Sequence, residues 1–322
     1  MSDIQLFRLS NGTASELPSQ VAKLEKHLQS LMEVNMQTLL GVHFLATEYT
    51  TGKTHRGRID SLGLDENGCP VIVEYKRHSN ENVINQGLYY LDWLLDHQAE
   101  FRWLVMDKLG KDEADKIEWA GTRLLCVAAD FTRYDQHAVQ QIPRNVELIR
   151  YKLFGDDLLL LELVNAQSTP ESAVNTSAST GALAPAESVS AVGAGAMPDV
   201  AKPAGKDKTV DEQLALASQE IRDLHANIAS FLLSMGDDVQ EKRLKLYTAF
   251  RRLKNFACAI PYPNKILMTL RLAPITVGLE EGFSRDISQI GHWGTGDVEL
   301  TLRSQADFDR AKALLERSYT EA

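Results

Sequence analysis

The chain has 322 residues, 44% hydrophobic and 24% charged, a globular composition that excludes collagenous, mucin-like and wholly disordered chains. That length is about twice the usual span of a domain, so two folded parts are expected. Acidic residues outnumber basic ones by 44 to 34, for a net charge of −10, so the chain is no polycation and contact with nucleic acid has to come from local basic patches.

In chain order, Val21, Leu24, Leu28, Leu31 and Leu39 fall near one face after the start signal Pro18-Ser19, which predicts an amphipathic helix over 19–40. Strands are predicted at 42–49, 56–64 and 69–76, the last two joined by the turn-forming DENG of residues 65–68. A helix over 82–97 follows, then a buried strand in LLCVAADF (124–131) and a second hairpin from VELIRYKL (146–153) and LLLLELV (158–164). This is a mixed α/β part spanning 1–165.

From 166 to 210 the chain carries no aromatic residue and is mostly Ala, Ser, Thr, Gly, Pro and Val. It cannot bury enough large apolar surface to offset its ordering entropy, which predicts a flexible linker. A second part, 211–322, opens with a helix over 211–235. Strands are expected at 265–272 and 297–303, and a last helix opens at Ser304 with Asp307 three residues on. EKRLKLYTAFRRLKNF (241–256) interleaves basic and aromatic residues. It reads either as a charged helix face over an aromatic core or as a nucleic-acid contact. In GHWGTGD (291–297), His292 and Trp293 could stack on a base, or the glycines could shape a turn around a buried Trp.

Cys69, Cys126 and Cys258 are odd in number and in no C-x-x-C spacing, which argues against a disulfide framework and a zinc site. No basic-then-apolar leader opens the sequence, and no apolar run approaches the roughly 20 residues of a spanning helix. A cytoplasmic protein without a membrane partner is the expectation.

Chemistry concentrates in residues 57–94. A hairpin centred on Asn67 pairs residues whose numbers sum to 134, so Asp60 lies opposite Glu74 on one face. Lys76, two residues on, joins that face because strand side chains alternate. Carboxylates directly across a ladder repel, and a divalent cation with oxygen ligands such as Mg²⁺ holds them together. Such a cation polarises a phosphoryl oxygen while the lysine orients water, as phosphodiester hydrolysis requires. Gln86 and Tyr90, four apart, share a face of the next helix. His55, Arg56, Arg58 and Arg77 flank the carboxylates and offer cations to a phosphate backbone, with Lys53 and His78 nearby. Gly57 permits either a close backbone approach or a bulge.

Asp60, the Glu74-Tyr75-Lys76 triplet, the Gln86-to-Tyr90 spacing and Glu33 on the first helix together resemble the PD-(D/E)XK nucleases, within them the NucS/EndoMS-like branch. The resemblance covers roughly residues 20–165 and implies a restriction-endonuclease-like αβββαβ core with a mixed sheet. It implies that Asp60, Glu74 and the carbonyl of Tyr75 bind Mg²⁺ or Mn²⁺, that Lys76 assists the attacking water, that Glu33 assists a metal or substrate, and that Gln86 orients the site. NucS-type proteins carry an N-terminal DNA-binding domain; here fewer than 20 residues precede the first expected helix, so mismatch specificity is not carried over. The segment from GHWGTGD onward resembles a C-terminal domain of unknown function in bacterial proteins filed as predicted transport proteins. No spanning helix supports that filing.

The expectation is a bacterial metal-dependent DNA endonuclease, in defence or repair, linked to a small α+β module that recognises nucleic acid or a protein partner, with a homodimer admitted. The alternatives are a non-catalytic nucleic-acid-binding or regulatory protein that retains the nuclease fold, and an RNA nuclease.

Overall fold

The structure, a computed structural model, describes residues 4–52, 56–77, 83–167 and 208–322. Lys53, His55, His78 and most of the expected linker lie outside these residues. A two-stranded hairpin, β1 (Leu6–Ser10) and β2 (Thr13–Leu17), precedes the first large sheet.

That sheet has seven strands among the described residues: β3 (Ser19–Gln20), β4 (Val42–Thr50), β5 (Arg58–Asp65), β6 (Pro70–Lys76), β7 (Arg123–Ala128), β8 (Asn145–Phe154) and β9 (Leu158–Gln167). β4, β5 and β6 form an antiparallel meander, β6, β7 and β8 run parallel, and β9 returns antiparallel on β8. Two helices, α1 (Glu25–Val34) and α2 (Met36–Leu40), cover one face of the sheet. The other carries α3 (Val83–Asp96), α4 (Gln98–Leu109) and the short α5 (Lys111–Ala114), with α6 (Arg133–Gln140) between β7 and β8. The core therefore follows the order αβββαβ with a mixed sheet, as the resemblance implies. The parallel pairing of β6 with β7 needs a long crossover, which α3 to α5 supply.

The expected single helix over 19–40 is two helices preceded by a short strand. Asn35 ends α1, its N–H bonding Met32 O and its side chain Leu31 O, and Gly41 (φ 65°) closes α2 in the left-handed region. The buried stripe is Leu28, Met32, Met36 and Leu40, whereas Val21, Leu24 and Leu31 are exposed. Spacing by four puts those side chains over one another on the sheet face of Val71, Val73 and Tyr75.

The second large sheet contains β10 (Gln240–Arg243), β11 (Thr248–Arg251), β12 (Asn255–Tyr262), β13 (Lys265–Leu270), β14 (Ser284–Asp286) and β15 (Val298–Leu302), all antiparallel, in the order β10-β11-β12-β13-β15-β14. The helix expected over 211–235 is divided into α7 (Val210–Leu216) and α8 (Gln219–Leu233), with Ser218 capping the latter. The last helix, α9 (Gln305–Glu321), begins as expected with Ser304 accepting from Asp307 N–H. α8 and α9 cover one face through Leu224, Ile228, Leu232, Phe308, Ala311 and Leu315. The stretch 241–256 is strand and turn, not a helix. Its basic residues scatter: Arg251 is buried, Arg252 pairs with Asp238, and Lys242 donates to Asn145. Trp293 is 40% exposed, so the GHWGTGD turn does not wrap a buried indole. The three cysteines are buried and free, and among the described residues no helix is long and apolar enough to cross a membrane.

Candidate active site

The β5–β6 hairpin has the expected register: Ser61 faces Val73, Leu62 faces Ile72 and Gly63 faces Val71. One rung further, Asp60 meets Glu74 where the strands part. Asp60 N–H donates to Glu74 Oε1 (3.2 Å), and Tyr75 N–H donates to Asp60 Oδ2 (3.0 Å). Glu74 is fully buried, and its second oxygen, Oε2, has no hydrogen-bond partner among the described residues. Burial, reinforced by the Asp60 charge, pushes the Glu74 carboxyl up to about 9. Burial likewise raises Asp60, against the Tyr75 N–H and Lys76, which act to lower it.

Lys76 Nζ donates to Glu25 Oε1 (3.1 Å), and Arg77 N–H donates to Glu25 Oε2 (3.3 Å). Burial acts to lower the Lys76 ammonium, yet Glu25, Asp60 and Glu74 outweigh it and hold its pKa above the usual lysine value. Glu25 opens α1 and is the acidic side chain of that helix that reaches the strand-end cluster. Glu33 sits two turns on, accepting from Ser61 Oγ (2.7 Å) and Gln29 Nε2 (2.9 Å). Ser61 thus meets Glu33 of α1, whereas Asp60 and Glu74 meet each other where β5 and β6 part. Sequence reasoning missed Glu25 and Gln29. Their spacing from Glu33, eight and four residues on one helix face, is the signal that could have found them.

Gln29 is buried, and its Nε2 also donates to Asp60 O (2.7 Å) and Thr47 Oγ1 (3.1 Å), which ties α1 to β5 and β4. On the other side, Gln86 Nε2 donates to Tyr90 Oη (3.3 Å), which also accepts from Arg58 N–H (3.3 Å). Gly57 admits the Tyr90 ring: a Cβ there would lie 2.4 Å from Tyr90 Cε1. What approaches Gly57 is therefore a side chain, not the backbone that the sequence reading expected. Asp60, Gln86, Tyr90, Arg56 and Arg58 line one cleft of about 480 Å³, with Glu25, Gln29 and Glu48. Arg77 is exposed; Tyr75 turns its ring into the core and contributes only backbone near the carboxylates.

Two carboxylates side by side, one with an unpartnered buried oxygen, form a hard-oxygen donor set that fits Mg²⁺, which takes one or two protein carboxylates and fills its other positions with water and substrate. Among the described residues no group of three or more His, Cys, Asp or Glu side chains makes a complete cage.

Residues 210–322 match a family described as a domain of unknown function (DUF5655). An uncharacterized protein of Haemophilus influenzae is 25% identical over 320 residues, 98% of this chain and 99% of that one. Among solved structures, a repair endonuclease from Pyrococcus abyssi matches at 18% identity and a TM-score of 0.27, over 41% of this chain and 48% of its own. A structure of an EndoMS–double-stranded DNA complex matches at 20% identity and a TM-score of 0.27, over 39% of this chain and 44% of its own. Each of these two is matched over less than half its length.

Proposed function

We propose that the chain is a divalent-metal-dependent nuclease that hydrolyses phosphodiester bonds of DNA, with residues 1–165 as a PD-(D/E)XK catalytic part and residues 211–322 as a recognition part joined to it by a linker. The observation that carries this reading is the Asp60–Glu74 pair with its unpartnered buried oxygen, Asp60 lining a polar cleft and Lys76 standing two residues beyond Glu74 on β6.

In this reading Asp60, Glu74 and the carbonyl of Tyr75 hold Mg²⁺ or Mn²⁺. The bound ion supplies Lewis-acid polarisation of a phosphoryl oxygen and a lowered pKa for its water. Lys76 Nζ keeps its protons and donates toward the scissile phosphate or the attacking water, with Glu25 fixing its direction. Gln86 and Tyr90 orient the adjoining backbone, and Arg56 and Arg58 hold phosphates at the cleft mouth. Cleavage of supercoiled plasmid, linear duplex and single-stranded DNA tests the reading, run with Mg²⁺, with Mn²⁺ and with EDTA. Wild type should cut only with metal, and Glu74→Gln and Lys76→Ala should each lose about a hundredfold or more. No cutting by wild type under any of these conditions would instead favour a binding protein that retains the fold.

A further inference from the structure

The cleft holds an anion of its own. Glu48 lies in β4 between the rungs Thr47–Ser61 and Tyr49–Ile59, which puts it beside Asp60 on the neighbouring strand. Its φ is 50°, in the left-handed region that disfavours a side chain. Arg56, at φ 49°, is a second cleft residue so held. Backbone strain of this kind persists where surrounding contacts over-determine it, and it gathers at ligand clamps and active sites.

The Glu48 carboxylate bridges two cations from different elements. Lys26 Nζ of α1 lies 3.3 Å from Oε1, and Arg58 Nη1 of β5 lies 3.0 Å from Oε2. A monoanion whose two oxygens are each met by a separate cation has the charge and donor pattern of a phosphodiester with its two non-bridging oxygens. Lys26 Nζ also donates to Gln29 Oε1 (3.2 Å), and Gln29 is bonded to the Asp60 carbonyl. The cation pair is thereby tied to the strand that carries the catalytic aspartate.

We propose that Lys26 and Arg58 form a site for a non-reacting backbone phosphate of the nucleic acid, and that Glu48 is its built-in competitor, filling the site until the substrate arrives. The proposal rests on the nuclease reading and deepens it. The bridging groups are partly exposed, with 55% of the Lys26, 67% of the Arg58 and 31% of the Glu48 side chain accessible. Exposed ion pairs of this kind hold weakly, so an incoming polyanion that releases counterions can displace the carboxylate.

Equilibrium binding of a short fluorescein-labelled DNA duplex in EDTA, with the full chain, tests this. Glu48→Gln keeps the size and removes the charge, and should bind about threefold to tenfold more tightly at about 50 mM salt. The Lys26→Ala, Arg58→Ala double variant should bind more weakly, and its slope of log affinity against log salt should be shallower by about one. Adding Glu48→Gln to that double variant should give no further gain, because the cations it competes for are gone. Unchanged or weaker binding by Glu48→Gln beside a wild type that binds would overturn the competitor role. An equal gain in the triple variant would overturn it as well, since loss of any negative charge would then suffice. Absence of binding in every variant, wild type included, would overturn the nucleic-acid reading itself.

Discussion

At the scale of single residues, the candidate site depends on what each side chain excludes as much as on what it binds. Gly57 is the clearest case, because the Tyr90 ring occupies the space a Cβ would need, with contacts of 2.4 and 2.9 Å to ring carbon and hydroxyl. Tyr90 is itself buried at 6% exposure and cannot swing freely away. Gly57→Ala should therefore destabilise the protein by about 1–3 kcal/mol, the usual range for overpacking, measured by urea unfolding. It should also lower cleavage, since Tyr90 Oη would leave Gln86 and Arg58 N–H. A variant as stable and active as wild type would show that the ring has room to move. Glu74 illustrates the complementary case. Its carboxyl is buried with one oxygen unpartnered among the described residues, and burial beside Asp60 raises it to about 9, so it becomes a carboxylate at neutral pH only when a counter-charge is supplied. Adding Mg²⁺ should raise the melting temperature of wild type by several degrees by mass action, whereas Asp60→Asn and Glu74→Gln should show no such shift in a thermal scan.

At the scale of elements, α1 and the β5–β6 hairpin build the cleft between them, and Gln29 is their joint. Its amide nitrogen donates to Asp60 O, Thr47 Oγ1 and Glu33 Oε1 from a position 4% exposed. Gln29→Ala leaves the Asp60 carbonyl without this donor and should cost about 2 kcal/mol, within the range for an unsatisfied buried acceptor. Because α1 carries Glu25 as well, loosening it should also reduce the rate of cleavage at saturating DNA. Urea midpoints and single-turnover rates check the two effects. The hairpin register was legible because the DENG turn fixes one pairing sum, and that sum alone brings Asp60 to Glu74. The choice between Glu25 and Glu33 was not legible. Both occupy one helix face, and only the reach of Lys76 from the strand end decides which carboxylate meets it. The break at Asn35 was hidden for another reason: an asparagine side chain bonding Leu31 O ends a helix without glycine or proline. In 241–256, strands of four residues are too short for period 2 to stand out, and the long apolar stems of Lys and Arg obscure which residues are buried.

At the scale of the whole molecule, the end of the β5–β6 hairpin remote from Asp60 anchors the second sheet. Tyr247 Oη and Asn255 Nδ2 donate to Asn67 Oδ1 (3.0 and 2.7 Å), and Arg271 pairs with Glu66. Beneath these lies a buried square of charge. Arg123 of β7 forks onto Glu147 of β8 (2.8 and 2.9 Å) and reaches Asp65 (3.0 Å), and Arg251 of β11 adds a contact to Glu147 (2.6 Å). Without Arg251 the first sheet would bury two carboxylates against one guanidinium, so Arg251→Met should destabilise the protein by about 3–5 kcal/mol at neutral pH. The same square sets an acid limit. Burial acts to raise Glu147, but Arg123 and Arg251 outweigh it and hold its carboxyl down to about 2, against an ordinary 4.5. A depressed carboxylate contributes stability that is present above its unfolded pKa and is lost as pH falls through its folded one. The loss from Glu147, roughly 3 kcal/mol over that interval, falls between about pH 5 and pH 2. Glu66 acts in the opposite sense, because burial holds its carboxyl above the ordinary value despite Arg271. Its contribution changes only above pH 4.5, outside the interval in which Glu147 loses its own. Urea unfolding at stepped pH should therefore show wild type losing stability steeply below pH 5, and Arg251→Met losing less over the same range because one of the two cations holding Glu147 ionised is gone. Parallel acid curves for the two proteins would mean that Arg251 is not what keeps Glu147 charged, and that the two sheets are held together by the Asn67 and Glu66 contacts instead.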